Sequence, residues 1–200
     1  ARRYPAFADA LRPAQLVLPD GIGVVMAARL MGTPVPERVP GIELTEALLG
    51  VAARRGFRVF FLGAAPGVAE AAAATVQRRH PGLRVVGTHH GYFSEEEEEN
   101  VVSVVERAAP DMLFVALGAP KQELFIARHR DTWRVPVAIG VGGSLDVLAG
   151  RVGRAPRWVQ SVGLEWLYRL LQQPRRLPRL FALPHFAVLV LLDAVRRNLL

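Results

Sequence analysis

Five short apolar runs, each closed by a turn of Gly, Pro or Asp and separated by stretches of helical patterning, constrain this chain more than any other feature. The runs are Leu16–Leu18, Val59–Leu62, Leu83–Val86, Met112–Leu117 and Val137–Val141. They are continuous rather than alternating, as strands buried on both faces of a parallel sheet are. The segments between them, Ile22–Met31, Ile42–Arg55, Val68–His80, Glu95–Ala108 and Gln122–Arg130, suit helices. Successive βα units predict an α/β fold, a Rossmann-like, mostly parallel sheet flanked by helices. Ser94 and Glu97 form a predicted capping box, and the acidic run Glu95–Glu99 favours a helix start through the helix dipole.

With 200 residues and 51% hydrophobic composition, one domain with an appendage is expected. The boundary falls at Gly150. Residues 1–150 carry 16 basic and 16 acidic side chains, whereas residues 151–200 carry nine arginines against Glu165 and Asp193. The formal net charge of +7 therefore lies entirely in the last quarter. Such asymmetry points to a polyanionic surface such as phosphate, nucleic acid or acidic lipid. A genome bias towards arginine accounts for Arg over Lys, since Lys121 is the sole lysine, but not for the asymmetry.

The expected units are thus an α/β catalytic domain over 1–150 and a basic, amphipathic C-terminal appendage over 151–200. In the appendage the pattern predicts a helix from about Arg157 to Gln173, a Pro-broken basic link, and thirteen mostly apolar residues from Leu180 to Leu192. A bilayer span needs about 20 apolar residues. The segment is therefore expected to lie in the membrane interface, with Phe181, Phe186, Val190 and Leu191 towards the acyl region. Packing on the domain or on another subunit fits the pattern equally well. The start, ARRYPAFADALRPAQ, has no continuous apolar signal core and no initiating methionine, and missing N-terminal residues are expected. Absence of cysteine excludes disulfides and Cys-based zinc sites from this sequence.

Ligands of open parallel sheets bind beyond the carboxyl ends of the strands. The turns there are LPDG (18–21), LGAAPG (62–67), HHGYF (89–93), LGAPKQE (117–123) and GVGGSLDVLAG (140–150). Asp20, before Gly21, has a carboxylate placed to take a proton from an attacking sugar hydroxyl. An N-cap role is the commoner use of such a residue. In the next candidate turn, Gly118 permits close backbone approach and Pro120 suits a first helical turn, with Gln122 and Glu123 beside the helix N-terminus. Backbone N–H groups there suit a diphosphate, and the side chains suit sugar hydroxyls; the plainer reading of Glu123 is a first-turn charge. Gly140-Val141-Gly142-Gly143-Ser144, after the fifth run, is another backbone-exposing turn, and Asp146 is placed to bond a ribose or base.

Dinucleotide G-x-G-x-x-G spacing is missing at 63–67 and 140–146, and the P-loop, D-x-D and H-E-x-x-H patterns are absent. No cofactor is expected. His80, His89 and His90 are read as loop or helix-end residues, with no metal site. If the chain transfers a sugar from a nucleotide diphosphate, the leaving diphosphate needs a cation other than a metal, and Arg169, Arg175, Arg176 and Arg179 offer guanidinium forks.

Together these residues resemble the bacterial WecG/TagA/CpsF glycosyltransferases. The resemblance rests on LPDGIGVV (18–25), LGAAPGVAE (62–70), Pro81-Gly82, Gly87 and HHGYF, the G-x-P-x-Q-E turn ending at Glu123, GVGGSLDVLAG, RAPRW (154–158) and LEWLYRLLQQPRRLPR (164–179). It implies transfer of an N-acetylmannosamine-type hexosyl unit from a UDP-sugar to an undecaprenyl-diphosphate-linked sugar, with inversion and without a metal. Products of such enzymes enter teichoic acid, common antigen or exopolysaccharide synthesis.

By the same resemblance Asp20 corresponds to the proposed base and Gln122 to an active-site glutamine. The turns bearing Tyr92 and Asp146 correspond to the family's nucleotide-binding region, and Gly63, Gly91, Gly118, Pro120, Glu123, Gly142 and Gly143 are expected to bind the donor with them. Arg169, Arg176 and Arg179 match arginines that close over the diphosphate and dock on the membrane, which implies a peripheral enzyme on the cytoplasmic face. The family usually carries a Thr-x-Asn segment upstream of the Asp-Gly turn, and this sequence starts after that point. The oligomeric state stays open. Two other functions remain to be separated from this one: a non-catalytic partner of another transferase, and a basic nucleic-acid or lipid-binding module.

Overall fold

The computed structural model describes residues 5–33, 35–156, 158–159, 165–172, 184 and 186–192. Two compact units emerge. The first comprises the described parts of Ala1–Val17 and Gly41–Val152, the second those of Leu18–Pro40 and Gly153–Leu200.

In the first unit, α1 (Pro5–Leu11) and α3 (Gly41–Arg55) precede β1 (Arg58–Gly63), α4 (Val68–Arg79) and β2 (Arg84–His89). There follow α5 (Glu95–Ala108), β3 (Met112–Ala116), α6 (Lys121–His129), β4 (Val137–Gly140) and α7 (Ser144–Leu148). The four strands are all parallel, in the order β2-β1-β3-β4. Of the expected strands, Leu16–Leu18 does not form. Leu16 and Val17 are 72% and 61% exposed, and Pro19 follows them without an N–H for a ladder. Three residues ended by a proline offer too little pairing to hold a sheet edge.

Continuous burial holds for the central strands, since β3 is buried throughout and β1 from its second residue on. The edge strands β2 and β4 are half-exposed, as position in the sheet requires. Apolar side chains divide between two faces. Val59, Phe61 and Phe114 pack with Leu49 of α3, Val76 of α4 and Leu145 of α7. Phe60, Leu62, Leu113 and Val115 pack with Val101 and Val105 of α5 and Phe125 of α6. The predicted capping box forms: Glu97 N–H donates to Ser94 Oγ at 3.3 Å, and Ser94 N–H to Glu97 Oε2 at 2.8 Å.

The second unit holds α2 (Ile22–Leu30) and α8 (Glu165–Gln172), with residues 158–159 and 186–192 also helical. Glu165 is buried and pairs with Arg38 at 3.6 Å, tying the segment before Pro40 to α8. Val190, expected to face lipid, is buried, whereas Phe186, Val188, Leu191 and Leu192 are exposed. A helix buries one stripe, and Val190 lies on it. Arg157, Gln173 and Phe181 lie outside the described residues. Among the described residues, no helix is long and apolar enough to cross a membrane.

Candidate active site

The order β2-β1-β3-β4 places the topological switch point between β1 and β3, where α4 leaves over one face and α6 over the other. At this fork the backbone is packed too closely for side chains. A Cβ on Gly63, whose φ is +125°, would lie 2.5 Å from the carbonyl carbon and oxygen of Ala116. Ala64 follows in the left-handed region at φ 59° and donates its N–H to Ala116 O at 2.9 Å. The turn after β2 closes on the same point: Gly91 N–H donates to Ala64 O at 2.8 Å. A Cβ on Gly91 would meet Leu117 Cδ2 at 2.8 Å and Gly63 Cα at 3.1 Å.

Three turns thus converge through glycines, as their positions after strand ends predict. Tyr92, next in the chain, is 73% exposed. The adjoining histidines are held locally: His89 Nδ1 lies 2.8 Å from His90 O, and Tyr92 N–H donates to His90 Nδ1 at 3.3 Å.

The turns after β3 and β4 are joined by one side chain. Pro120, on a cis peptide from Ala119, precedes α6. Gln122, in the first turn of that helix, is 6% exposed. Its Oε1 accepts from Gly118 N–H at 3.2 Å and from Gly142 N–H at 3.0 Å. Its Nε2 donates to Glu123 Oε1 at 2.8 Å. Glu123 Oε2 is buried and has no hydrogen-bond partner among the described residues. Gly143 caps α7, and half-buried Asp146 lies in its first turn. The carbonyl of Asp146 receives the N–H groups of Arg151 and Val152 at 2.9 and 3.3 Å.

A profile of the Glycosyl transferase WecG/TagA/CpsF family matches residues 1–199. The chain belongs to this family. Similar relatives bear the name N-acetylglucosaminyldiphosphoundecaprenol N-acetyl-beta-D-mannosaminyltransferase. That of Bacillus spizizenii (strain ATCC 23059 / NRRL B-14472 / W23) is 41% identical over 191 residues, 96% of this chain and 74% of the relative. That of Bacillus subtilis (strain 168) is 40% identical, covering 92% of this chain and 71% of the relative. That of Staphylococcus aureus (strain MRSA252) is 39% identical, covering 93% and 72%. This WecG/TagA/CpsF protein is accordingly an enzyme of the glycosyltransferase class.

In the family member's second unit, Asp20 is exposed just before α2. The N-cap position of α2 is Gly21, the residue after Asp20. Arg169 belongs to α8. Arg175, Arg176 and Arg179 lie outside the described residues. Sequence reasoning placed Gly140 in a backbone-exposing turn without showing that a Cβ there would stand 2.6 Å from Gln122 Nε2, and it missed left-handed Ala64. The glycine in GVGGS was visible but ambiguous among its neighbours, while nothing in an alanine signals a positive φ.

Proposed function

We propose that this glycosyltransferase moves an N-acetylmannosamine-type hexosyl unit from a UDP-sugar to an undecaprenyl-diphosphate-linked sugar, inverting the anomeric centre. The reading rests above all on about 40% identity to named N-acetylmannosaminyltransferases, sustained over more than nine-tenths of the chain. Those relatives are named for a diphosphoundecaprenol-linked N-acetylglucosamine acceptor and for the N-acetylmannosaminyl unit they transfer, which supports this reading. In the proposed reaction the donor lies across the glycine turns at 63–67, 91–93, 118–123 and 140–146. The acceptor hydroxyl loses its proton to Asp20 as its oxygen attacks the anomeric carbon from the face opposite UDP. The bond from that carbon to the diphosphate oxygen breaks, and UDP leaves with the electron pair.

Arg169, Arg176 and Arg179 neutralise the leaving diphosphate, where fixed charges in a water-poor site are most effective. The rest of the basic segment docks on the cytoplasmic face of the membrane, where the lipid acceptor resides, and the product enters teichoic acid or related cell-wall polymers. A product assay with several UDP-sugars and a short-chain lipid-diphosphate acceptor tests the reading. Transfer from UDP-N-acetylmannosamine is expected. Stabilisation by oligonucleotides and not by UDP in a thermal-shift experiment would instead identify a basic binding module. UDP binding without turnover would identify a non-catalytic partner.

A further inference from the structure

We infer that Gln122 is a positioning residue, an amide staple that holds the turns after β3 and β4 in register, and that Glu123 fixes which way its amide points. The inference deepens the proposed donor site and rests on that reading for its effect on catalysis.

The hydrogen-bond pattern admits one amide orientation. Oε1 faces two backbone N–H donors, those of Gly118 and Gly142. Nε2 faces a carboxylate oxygen of Glu123. Rotating the amide by half a turn would set an NH2 group against two donors and a carbonyl against a carboxylate, making all three contacts repulsive. Both acceptor positions of Oε1 are filled, so this oxygen has none left for a ligand.

The surroundings are shaped to the same end. Gly118 and Gly142 have φ of +77° and +52°, backbone conformations that favour glycine. Gly140, at the end of β4, leaves the space that Nε2, Cδ and Cγ of Gln122 occupy, since its Cβ would come within 2.6, 2.9 and 3.2 Å of them. Gly118 and Gly142 follow different strands, and a single buried side chain joins them. A donor laid across both turns meets a fixed distance between them, and so the staple governs donor binding rather than the acceptor's approach.

A polarity swap tests this. Gln122→Glu keeps an acceptor for both N–H groups but sets two carboxylates against each other. Adding Glu123→Gln returns an amide that donates to the carboxylate at position 122. Gln122→Glu is expected to raise the donor KM and the UDP Kd at least about tenfold in the wild-type background, with little change in acceptor KM. In the Glu123→Gln background the same change is expected to cost less than about threefold, the non-additivity that coupled neighbours show. Thermal midpoints without nucleotide should follow the same pattern. Should Gln122→Glu fail to fold, folding regained in the double variant is the expected result.

Equal losses in both backgrounds, or folding regained in neither, overturns the staple and makes Gln122 a direct ligand contact or a residue coupled elsewhere. If the wild-type enzyme does not bind UDP, the donor reading falls, and the thermal midpoints alone decide the staple.

Discussion

Gly63 and Ala116 are partners in the parallel ladder between β1 and β3, and a Cβ on Gly63 would lie 2.5 Å from the Ala116 carbonyl. Backbone on both sides leaves nothing flexible to yield. At φ +125° an L side chain is also strained in its own right. Gly63→Ala is therefore expected to lose about 2 kcal/mol or more of stability through overpacking and strain. Calorimetry should show a midpoint lowered by at least about 4 °C; an unchanged midpoint refutes the crowding.

Gly140→Ala meets a different obstacle, the end of the Gln122 side chain at 2.6 Å. A side chain gives more readily than backbone. The stability loss should be smaller than for Gly63→Ala, while the donor KM rises as Gln122 is displaced from Gly118 and Gly142. Steady-state kinetics with the donor varied at saturating acceptor measures this, and an unaltered KM would separate the residue from donor binding.

For Asp20→Asn, removal of the proposed base is expected to lower kcat by about 10²–10⁴-fold, the usual contribution of positioned proton transfer. The N-cap residue of α2, Gly21, is unchanged by this substitution, and the helix is expected to stay folded while the rate falls. Circular dichroism run beside the rate measurement checks that point. Normal turnover would remove Asp20 from the chemistry.

Stability should fall in acid partly through Glu98, buried in α5. Burial acts to raise its pKa and is the largest single influence, but hydrogen bonds and charge from His129 and Arg128 together outweigh it and hold the carboxyl below its ordinary value. A folded pKa below the unfolded one gives stability that is present above the unfolded value, near 4.5, and lost as pH falls through the folded value. Glu98→Gln should therefore be less stable than wild type at pH 7, by about 1 kcal/mol or more. The gap should narrow below pH 4.5. Urea unfolding at several pH values tests the trend, and a gap independent of pH refutes it.

Much of this architecture was legible beforehand because burial and turn chemistry are local. Val59–Leu62 and Met112–Leu117 read as doubly buried strands, and β1 and β3 form the sheet centre. Ser94 and Glu97 read as a capping box because its partners are three residues apart. Leu16–Leu18 misled because apolarity describes a candidate strand and says nothing of a neighbour to pair with. Helices α1 and α7, seven and five residues long, carried too few turns for periodicity to reveal them.

What the amino-acid sequence determined by itself was the α/β class, the set of turns at strand ends and, through motifs along the whole chain, the family. Each depends on residue type and spacing along one dimension. Only tertiary structure decided that Gln122 reaches Gly142, twenty residues away, that Gly63 is pressed against Ala116, and that Arg38 meets Glu165. Those relations arise when the strands pair and the chain doubles back, bringing together groups that no local pattern connects.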